Sequence, residues 1–249
     1  MARQKLKSIL LIAIAASFAG IFLFAYGALH QGPPSPPTIY SESYLSHLES
    51  VKPANPIPGT PDPYSYFASH ADQLAPPPAG SVCAIKYDDP QKTIYELKDY
   101  PSANAALAED AHVTHTGVCG TCSTLQDLAV YLRRPDLTAP VRRCGMLSSF
   151  KPLAMQCLKN LGFTDSCAAT WYFNAKHTSQ VCFGICMKAW IAGEPSNKPD
   201  GSLNSCLACD ENLSGPVFKH EAGRTRRNSG IVSSIGRANA EVSKIIHDY

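Results

Sequence analysis

The sequence predicts a mainly α-helical, disulfide-stapled domain with a small α/β N-terminal part, placed behind a single transmembrane helix and a proline-rich linker. Three observations support this fold class. An apolar run extends from Ile9 to Leu29, all ten cysteines lie between Cys83 and Cys209, and apolar residues recur at helical spacing after Pro135. Cysteine-rich domains downstream of an apolar N-terminal segment are typical of exported proteins, in which thiols pair.

Residues 1–30 are predicted to be an N-terminal membrane anchor of the signal-anchor type. Basic residues precede an uncharged segment of about 20 residues, which matches the ~30 Å hydrocarbon core of a bilayer. Because positive charge is retained in the cytoplasm, we expect a single-pass membrane protein with a cytoplasmic N-terminus. Its C-terminal domain is then extracytoplasmic, in a periplasm, a secretory lumen or the extracellular space. The alternative is a cleaved signal peptide.

Residues 31–80 are predicted to be an extracytoplasmic linker, because they contain 12 of the 20 prolines in the chain. Proline clusters favour extended polyproline II conformation and lack the backbone donors that helices and sheets need. One stretch, from Ile39 to Leu48, has the apolar spacing of a short amphipathic helix. We interpret the segment as a spacer, with a docking peptide as the alternative.

Residues 81–249 are predicted to form one cysteine-rich globular domain, long enough to bury a core. The formal net charge of +2 gives no reason to expect nucleic-acid binding. Strand and helix patterns alternate at its start: strands at 81–87, 93–98 and 111–115, and a helix at 102–109. Ser123 and Gln126 then form a capping-box pattern, which predicts a helix beginning next to Cys122 and ending before Pro135.

The remainder is predicted to be helical, with one helix ending at Gly162, a second capped by Thr164 and a third opened by Ser179. Cys182 and Cys186 are four residues apart and share a helix face, so each is expected to bridge to a neighbouring helix. Eight cysteines are predicted to form structural disulfides, although spacing does not define their connectivity: Cys83, Cys144, Cys157, Cys167, Cys182, Cys186, Cys206 and Cys209.

The strongest chemical signal is the segment Cys119-Gly120-Thr121-Cys122. A thiol at a helix N-terminus is stabilised as thiolate, which is the form that disulfide exchange and nucleophilic attack require. Cys119 and Cys122, with His115 as a nearby base, are therefore the candidate catalytic residues of a thiol-disulfide oxidoreductase.

Two resemblances concern this segment. From Thr93 to Arg134 the order of strands, helix and Cys-Gly-x-Cys resembles the opening of thioredoxin-like oxidoreductases, which implies disulfide exchange. Residues 117–122 also resemble, over six residues, the segment around the nucleophile of papain-like proteases, which implies a cysteine-nucleophile enzyme. Neither resemblance extends into the helical remainder of the chain.

A metal site is a further alternative for the same region. His112, His115, Cys119 and Cys122 offer ligand types that suit zinc or copper. On a strand, however, His112 and His115 point to opposite faces, and disulfides compete with thiolate ligation in an oxidising compartment. No cofactor is therefore predicted.

Arg224, Arg226 and Arg227 form a basic patch that is a candidate anion-binding site, since guanidinium groups bind carboxylate or phosphate in bidentate fashion. The expected partners are the membrane, through the N-terminal helix, and a protein or an acidic ligand. The competing functional class is a non-enzymatic, disulfide-reinforced binding or structural module. An enzyme of the predicted kind keeps Cys119 and Cys122 paired with each other or free and accessible, whereas such a module uses them in buried bridges to distant cysteines.

Overall fold

A four-stranded sheet lies in the N-terminal part of the domain in this computed structural model, which describes residues 40–236 and 242–249. The strands are β1 (Lys52–Pro53), β2 (Val82–Tyr87), β3 (Ile94–Tyr100) and β4 (His112–Thr116). Their order in the sheet is β1-β3-β2-β4. β1 runs parallel to β3, whereas β2 is antiparallel to both β3 and β4.

Helices dominate the rest of the described chain, which confirms the mainly α-helical prediction with its small sheet. They are α1 (Glu42–Ser50), α2 (Pro63–Ser69), α3 (Ala103–Ala108), α4 (Leu125–Arg133), α5 (Thr138–Gly145), α6 (Lys151–Asn160), α7 (Asp165–Val181), α8 (Phe183–Ile191), α9 (Ser205–Leu213) and α10 (Gly215–Ala222). Short 3-10 turns at Ala71–Gln73 and Arg227–Ser229 complete the secondary structure of the described residues.

Both faces of the sheet are covered by helices. On one face, Leu45 of α1 and Leu125 of α4 pack with Ile85 and Tyr95 of the sheet. On the other face, Ala106 of α3 packs with residues of β2 and β3. This cover on both sides explains why β2 begins with four consecutive buried residues instead of an alternating pattern.

Part of the stretch interpreted as a linker is folded. α1, β1 and α2 all lie between residues 40 and 80, and both Leu45 and Leu48 are fully buried. The side chains of Ser41 and Asp62 cap α1 and α2 by accepting hydrogen bonds from backbone N–H groups in the first turn of each helix. Pro63 occupies the start of α2, where the N–H that proline lacks would have no hydrogen-bond partner within the helix. A high proline count therefore does not exclude helices here.

Two helix starts differ from the prediction. The cap of α4 is Thr124, whose hydroxyl accepts the Asp127 N–H, because the Ser123 hydroxyl is engaged elsewhere in the core. α7 does begin after Thr164 as predicted, but it continues through Ser179, and the next helix starts only after Cys182. Cys122 therefore lies two residues before the cap of α4.

A second core joins α4 to the C-terminal helices and is rich in aromatic side chains. Tyr131 and Phe163 are buried in it, and Trp171 packs between Phe163 and Phe218. The predicted anchor from Ile9 to Leu29 lies outside the described residues. Across the residues that are described, none of the helices has both the length and the apolar character needed to span a bilayer.

Candidate functional site

The two cysteines of the predicted thiol site are not paired with each other. Cys119 is bonded to Cys83 of β2, and Cys122 is bonded to Cys167 of α7. Cys83, Cys122 and Cys167 are completely buried. A cysteine in a disulfide has no thiolate to offer, so this arrangement provides neither the exchangeable Cys119–Cys122 pair nor the free nucleophile that the sequence suggested.

The 119–122 loop is fixed by close backbone packing against the end of α10. The N–H groups of Thr121 and Cys122 donate to carbonyl groups of the last turn of α10, at 2.9 and 3.0 Å. A Cβ added to Gly120 would lie 2.5 Å from the backbone nitrogen of Gly223, which itself has a φ of +68°. Glycine is therefore required at both positions for the two backbones to approach.

His115 is buried beside this loop and serves as a structural hydrogen-bonding group. Its Nδ1 donates to the Thr116 carbonyl at 3.0 Å, which leaves Nε2 to accept from the Ser123 hydroxyl at 2.7 Å. The Ser123 oxygen in turn accepts the Gly120 N–H. Burial, reinforced by the nearby Arg224 charge, lowers the pKa of His115 to about 3. His115 is thus neutral and has no access to solvent, contrary to a role as general base.

Arg224 is the centre of this region, and it is fully buried. Its guanidinium group donates to the carbonyl oxygens of Cys122, Thr114 and Ser123 at 2.9, 3.1 and 3.0 Å. It also donates to the hydroxyl groups of Ser229 and Thr114. All of its donor directions are used within the fold, so Arg224 joins β4, the cysteine loop and the 227–229 turn instead of binding an external anion.

Arg226 is engaged in the same way, which removes a second member of the predicted anion site. Its guanidinium group donates to the backbone carbonyls of Tyr131 and Arg134 and lies over the Tyr131 ring. Arg227 lies at the start of the 3-10 turn, and its carbonyl accepts the Ser243 N–H at 2.8 Å. Arg224 and Arg226 thus both donate to backbone carbonyls within the fold, and those of Arg226 lie at the end of α4.

The four predicted metal ligands are likewise engaged in other contacts and do not form a common site. His112 packs edge-on against Tyr87 and Tyr249, whereas His115 is enclosed and both cysteines are in disulfides. Within the described ranges, the one group of potential ligand atoms that lie close together is Cys83, Asp99 and Cys119. Its two sulfur atoms form a disulfide, so the donor set does not suit a metal ion.

The eight cysteines predicted to be structural are all bonded, and no cysteine is free. Cys144–Cys157 joins α5 to α6. Cys182–Cys209 and Cys186–Cys206 join α8 to α9, as expected from the shared helix face. Five disulfides stabilise the domain and indicate an oxidising, extracytoplasmic environment.

A shallow surface cleft of about 260 Å³ lies between α2 and α7 and was not predicted. The rings of Tyr64 and His177 stack at its edge, 4.2 Å apart. The Tyr64 hydroxyl contacts Asn174 and the Ser214 carbonyl, and His177 Nδ1 lies 2.9 Å from the Ser214 hydroxyl. Lys176 and Phe173 also line it.

The groups in this cleft are arranged for packing more than for chemistry. Ser214, the one hydroxyl next to a histidine here, is completely buried. Burial lowers the pKa of His177 and raises that of Tyr64 far above its ordinary value. The volume is also below the roughly 300–1,000 Å³ of small-molecule sites. The cleft therefore gives no basis for assigning a substrate.

Sequence reasoning missed one buried acid that organises the core. Asp127 accepts hydrogen bonds from the Thr124 hydroxyl and from the hydroxyl and N–H of Thr164, at 2.6 to 2.9 Å. It thereby connects the start of α4 to the start of α7. Burial raises the pKa of Asp127 to about 6. The available signal was the Thr124-to-Asp127 spacing, which is a capping pattern one residue beyond the one at Ser123.

Comparison with known proteins gives one match. A model for a family of unknown function (DUF8771) matches residues 151–245, which include α6 to α10. No curated protein and no solved structure matches the chain. The matched stretch contains both disulfides of the α8–α9 hairpin, but Cys83, Cys119, Cys122 and Cys144 precede it. The family match therefore assigns no activity to this domain.

Proposed function

We propose that this chain is a membrane-tethered, extracytoplasmic binding or structural module that performs no thiol chemistry. The observation that supports the proposal is the pairing of Cys119 and Cys122 with separate remote cysteines, in a loop fixed by backbone hydrogen bonds. Disulfide exchange would require these bonds to open inside a packed core. The tether is the apolar run from Ile9 to Leu29, and the oxidised cysteines are consistent with export.

A module of this kind recognises its partner through side chains on its own surface. The buried guanidinium group of Arg224 and the half-buried one of Arg226 donate to internal acceptors, which argues against an acidic ligand at the basic patch. Exposed apolar side chains occur instead in several places, including the disulfide-bonded helices α8 and α9 and residues 146–153. Contact through exposed apolar surface is the mode of action that the structure favours.

Disulfide mapping of the exported full-length chain by mass spectrometry tests this proposal. We expect five bridges, including Cys83–Cys119 and Cys122–Cys167, and no selective alkylation of Cys122 at neutral pH under mild reduction. The buried Cys122–Cys167 bond should be among the last to be reduced. A labile Cys119–Cys122 bond, or a Cys122 thiol that is alkylated first, would contradict the proposal and restore the oxidoreductase interpretation.

A further inference from the structure

Residues 243–249 lie against the domain as an extended segment that belongs to no helix or strand. Covered and exposed side chains alternate along it, which is the pattern of an extended chain with one face against a protein surface. The covered side chains are those of Ser243, Ile245, His247 and Tyr249. We refer to residues 243–249 as the strap.

The first part of the strap packs against the turn that follows Arg226. The Ser243 N–H donates to the Arg227 carbonyl at 2.8 Å. A Cβ added to Gly230 would lie 2.9 Å from the carbonyl oxygens of Ser243 and Ile245, and Gly230 has a φ of +74°. Glycine at this position therefore allows the two backbones to approach.

The last part of the strap covers aromatic side chains at one edge of the sheet. The Tyr249 ring packs edge-on against the ring of His112 on β4, which is an edge strand. The Tyr249 hydroxyl lies 3.4 Å from the Val113 carbonyl, and the Tyr249 N–H donates to the Tyr44 hydroxyl of α1 at 3.4 Å. The strap thus connects β4 to α1.

His247 is the buried polar side chain that holds the middle of the strap, and it is only 5% exposed. Its Nε2 donates to the Ser229 carbonyl at 2.7 Å, so Nδ1 is the nitrogen that accepts from the Tyr249 hydroxyl at 3.0 Å. A proton on Nδ1 would replace that acceptor by a donor. Both contacts therefore fit the neutral imidazole and oppose the charged form.

The charges around His247 also oppose its protonation. Ser229, which accepts from His247, accepts through its hydroxyl from the buried Arg224 guanidinium at 3.0 Å. Burial and this positive charge outweigh the neighbouring Asp248 carboxylate and lower the pKa of His247 to about 4. The other titratable groups on the elements packed against the strap are His112 and His115 of β4, Tyr44 of α1 and Arg227 of the turn. None of these four residues is an acid that could balance a charge on His247 below pH 7.

We propose that the strap is an acid-released cover, which leaves the domain when His247 takes up a proton and then uncovers the rings of Tyr44 and His112. The inference goes beyond the binding module, since it makes part of the module's surface available only under acidic conditions. The released histidine regains its ordinary affinity for protons, so docking of the strap is favoured when His247 is neutral.

The sign and size of the effect follow from linkage. The docked His247 has the lowered pKa and the released one the ordinary value of about 6.5, so release is accompanied by proton uptake between pH 6.5 and 4. The equilibrium constant for docking should fall roughly tenfold for each unit that the pH decreases in this interval. Above pH 7 the strap should stay docked independently of pH.

Amide exchange of the full chain, measured by NMR at several pH values between 6 and 4.5, tests the proposal. Protection factors are compared, because they correct for the intrinsic pH dependence of exchange. We expect the Ser243 and Tyr249 amides to be less protected than those of β2, which indicates that the strap opens without global unfolding. Their protection should fall roughly tenfold per pH unit, in proportion to the docking equilibrium.

The decisive variant is H247Q, whose amide can still donate to the Ser229 carbonyl but does not titrate. In H247Q the strap amides should have protection factors that no longer change between pH 6 and 4.5. The matched control is H47Q, at an exposed histidine of α1, which should retain the wild-type pH dependence. Retention of all five disulfides in both variants checks their folding.

Three results would overturn the proposal. Protection of the strap amides that stays constant between pH 6 and 4.5 in the wild type would show that protonation does not release the strap. Protection factors equal to those of β2 at every pH would show that the strap opens only when the whole domain unfolds. An undiminished pH dependence in H247Q would assign the effect to another group. None of these results bears on the disulfide pairing that supports the binding module.

Discussion

The cysteine loop at residues 119–122 and the α8–α9 hairpin each contain two disulfides, but the bonds have different surroundings. Around the loop, Cys122 is buried within a network centred on Arg224, and glycines allow close backbone packing. In the hairpin, Ala189 and Leu207 are the buried residues of α8 and α9 themselves. The loop disulfides therefore reinforce a core, whereas the hairpin disulfides replace one.

This difference shows why cysteine spacing alone misleads. The Cys-Gly-Thr-Cys segment has the spacing of an exchangeable pair, yet its sulfur atoms are bonded to β2 and α7. The hairpin cysteines lie in an ordinary helical pattern, and their bonds hold a helix that has exposed apolar side chains. Three predictions test the comparison, in order of decreasing expected effect.

Substitution of Arg224 should have the largest effect. R224M would leave several buried carbonyl and hydroxyl acceptors without a donor, and we expect the free energy of unfolding to fall by about 4 kcal/mol. Urea unfolding measures the change. The matched control is R143M, at an exposed arginine, with an expected change below about 0.5 kcal/mol. A similar small change in R224M would show that the buried network does not stabilise the loop region.

Removal of both hairpin disulfides, in C182A/C186A/C206A/C209A, should act locally. The two bonds are nested, closing 27 and 20 residues of the same stretch, so their contributions overlap, and we expect about 3 kcal/mol from the pair together. We expect amide exchange in α8 and α9 to accelerate about 100-fold or more, while β2 and β3 change little. The comparison variant is C144A/C157A, whose bond lies within the packed core. Equal acceleration in the sheet would mean that the hairpin is part of the same cooperative unit.

The buried network should also make stability depend on pH. His115 and His247 have native pKa values lowered to about 3 and about 4, mainly by burial, so the unfolded chain binds two more protons below its ordinary histidine pKa of 6.5. Asp127, with its pKa raised to about 6, is protonated in the native protein between pH 6 and 4 but ionised in the unfolded chain, which cancels one of these two protons. One net proton remains from these three groups, and the lowered pKa of His177 acts in the same direction, so stability should fall by about 1.4 kcal/mol or more for each unit that the pH decreases in this range.

Unfolding in urea at several pH values between 4 and 6 measures this slope. In H247Q the slope should become shallower by about 1.4 kcal/mol per pH unit, because one of the histidines that gain a proton on unfolding has been removed. His247 is a suitable site because its Nε2 donates to the Ser229 carbonyl, a contact that a glutamine amide can also make. Stability that rises as the pH decreases would contradict the assignment of neutral, buried histidines.

The sequence predicted those features that depend on neighbouring residues. The strands near residues 81–87, 93–98 and 111–115 and the start of α7 at Thr164 follow from local periodicity and capping. The paired face of Cys182 and Cys186 also follows from helical spacing alone. The mainly α-helical fold with its small sheet and its disulfides was therefore accessible before the structure.

Only the tertiary structure determined which sulfur atoms meet and which charges are buried. Cys122 reaches Cys167 because the cysteine loop packs against the end of α10, a contact made by residues about 100 positions apart in the chain. The same contact encloses Arg224, which local sequence presents as part of an exposed basic patch. Residues 40–69 were likewise assigned to a linker from composition, whereas burial of Leu45 and Leu48 against α4 and the sheet makes α1 part of the domain. Long-range packing decides these outcomes because burial depends on the partners that the fold supplies, and local sequence does not contain that information.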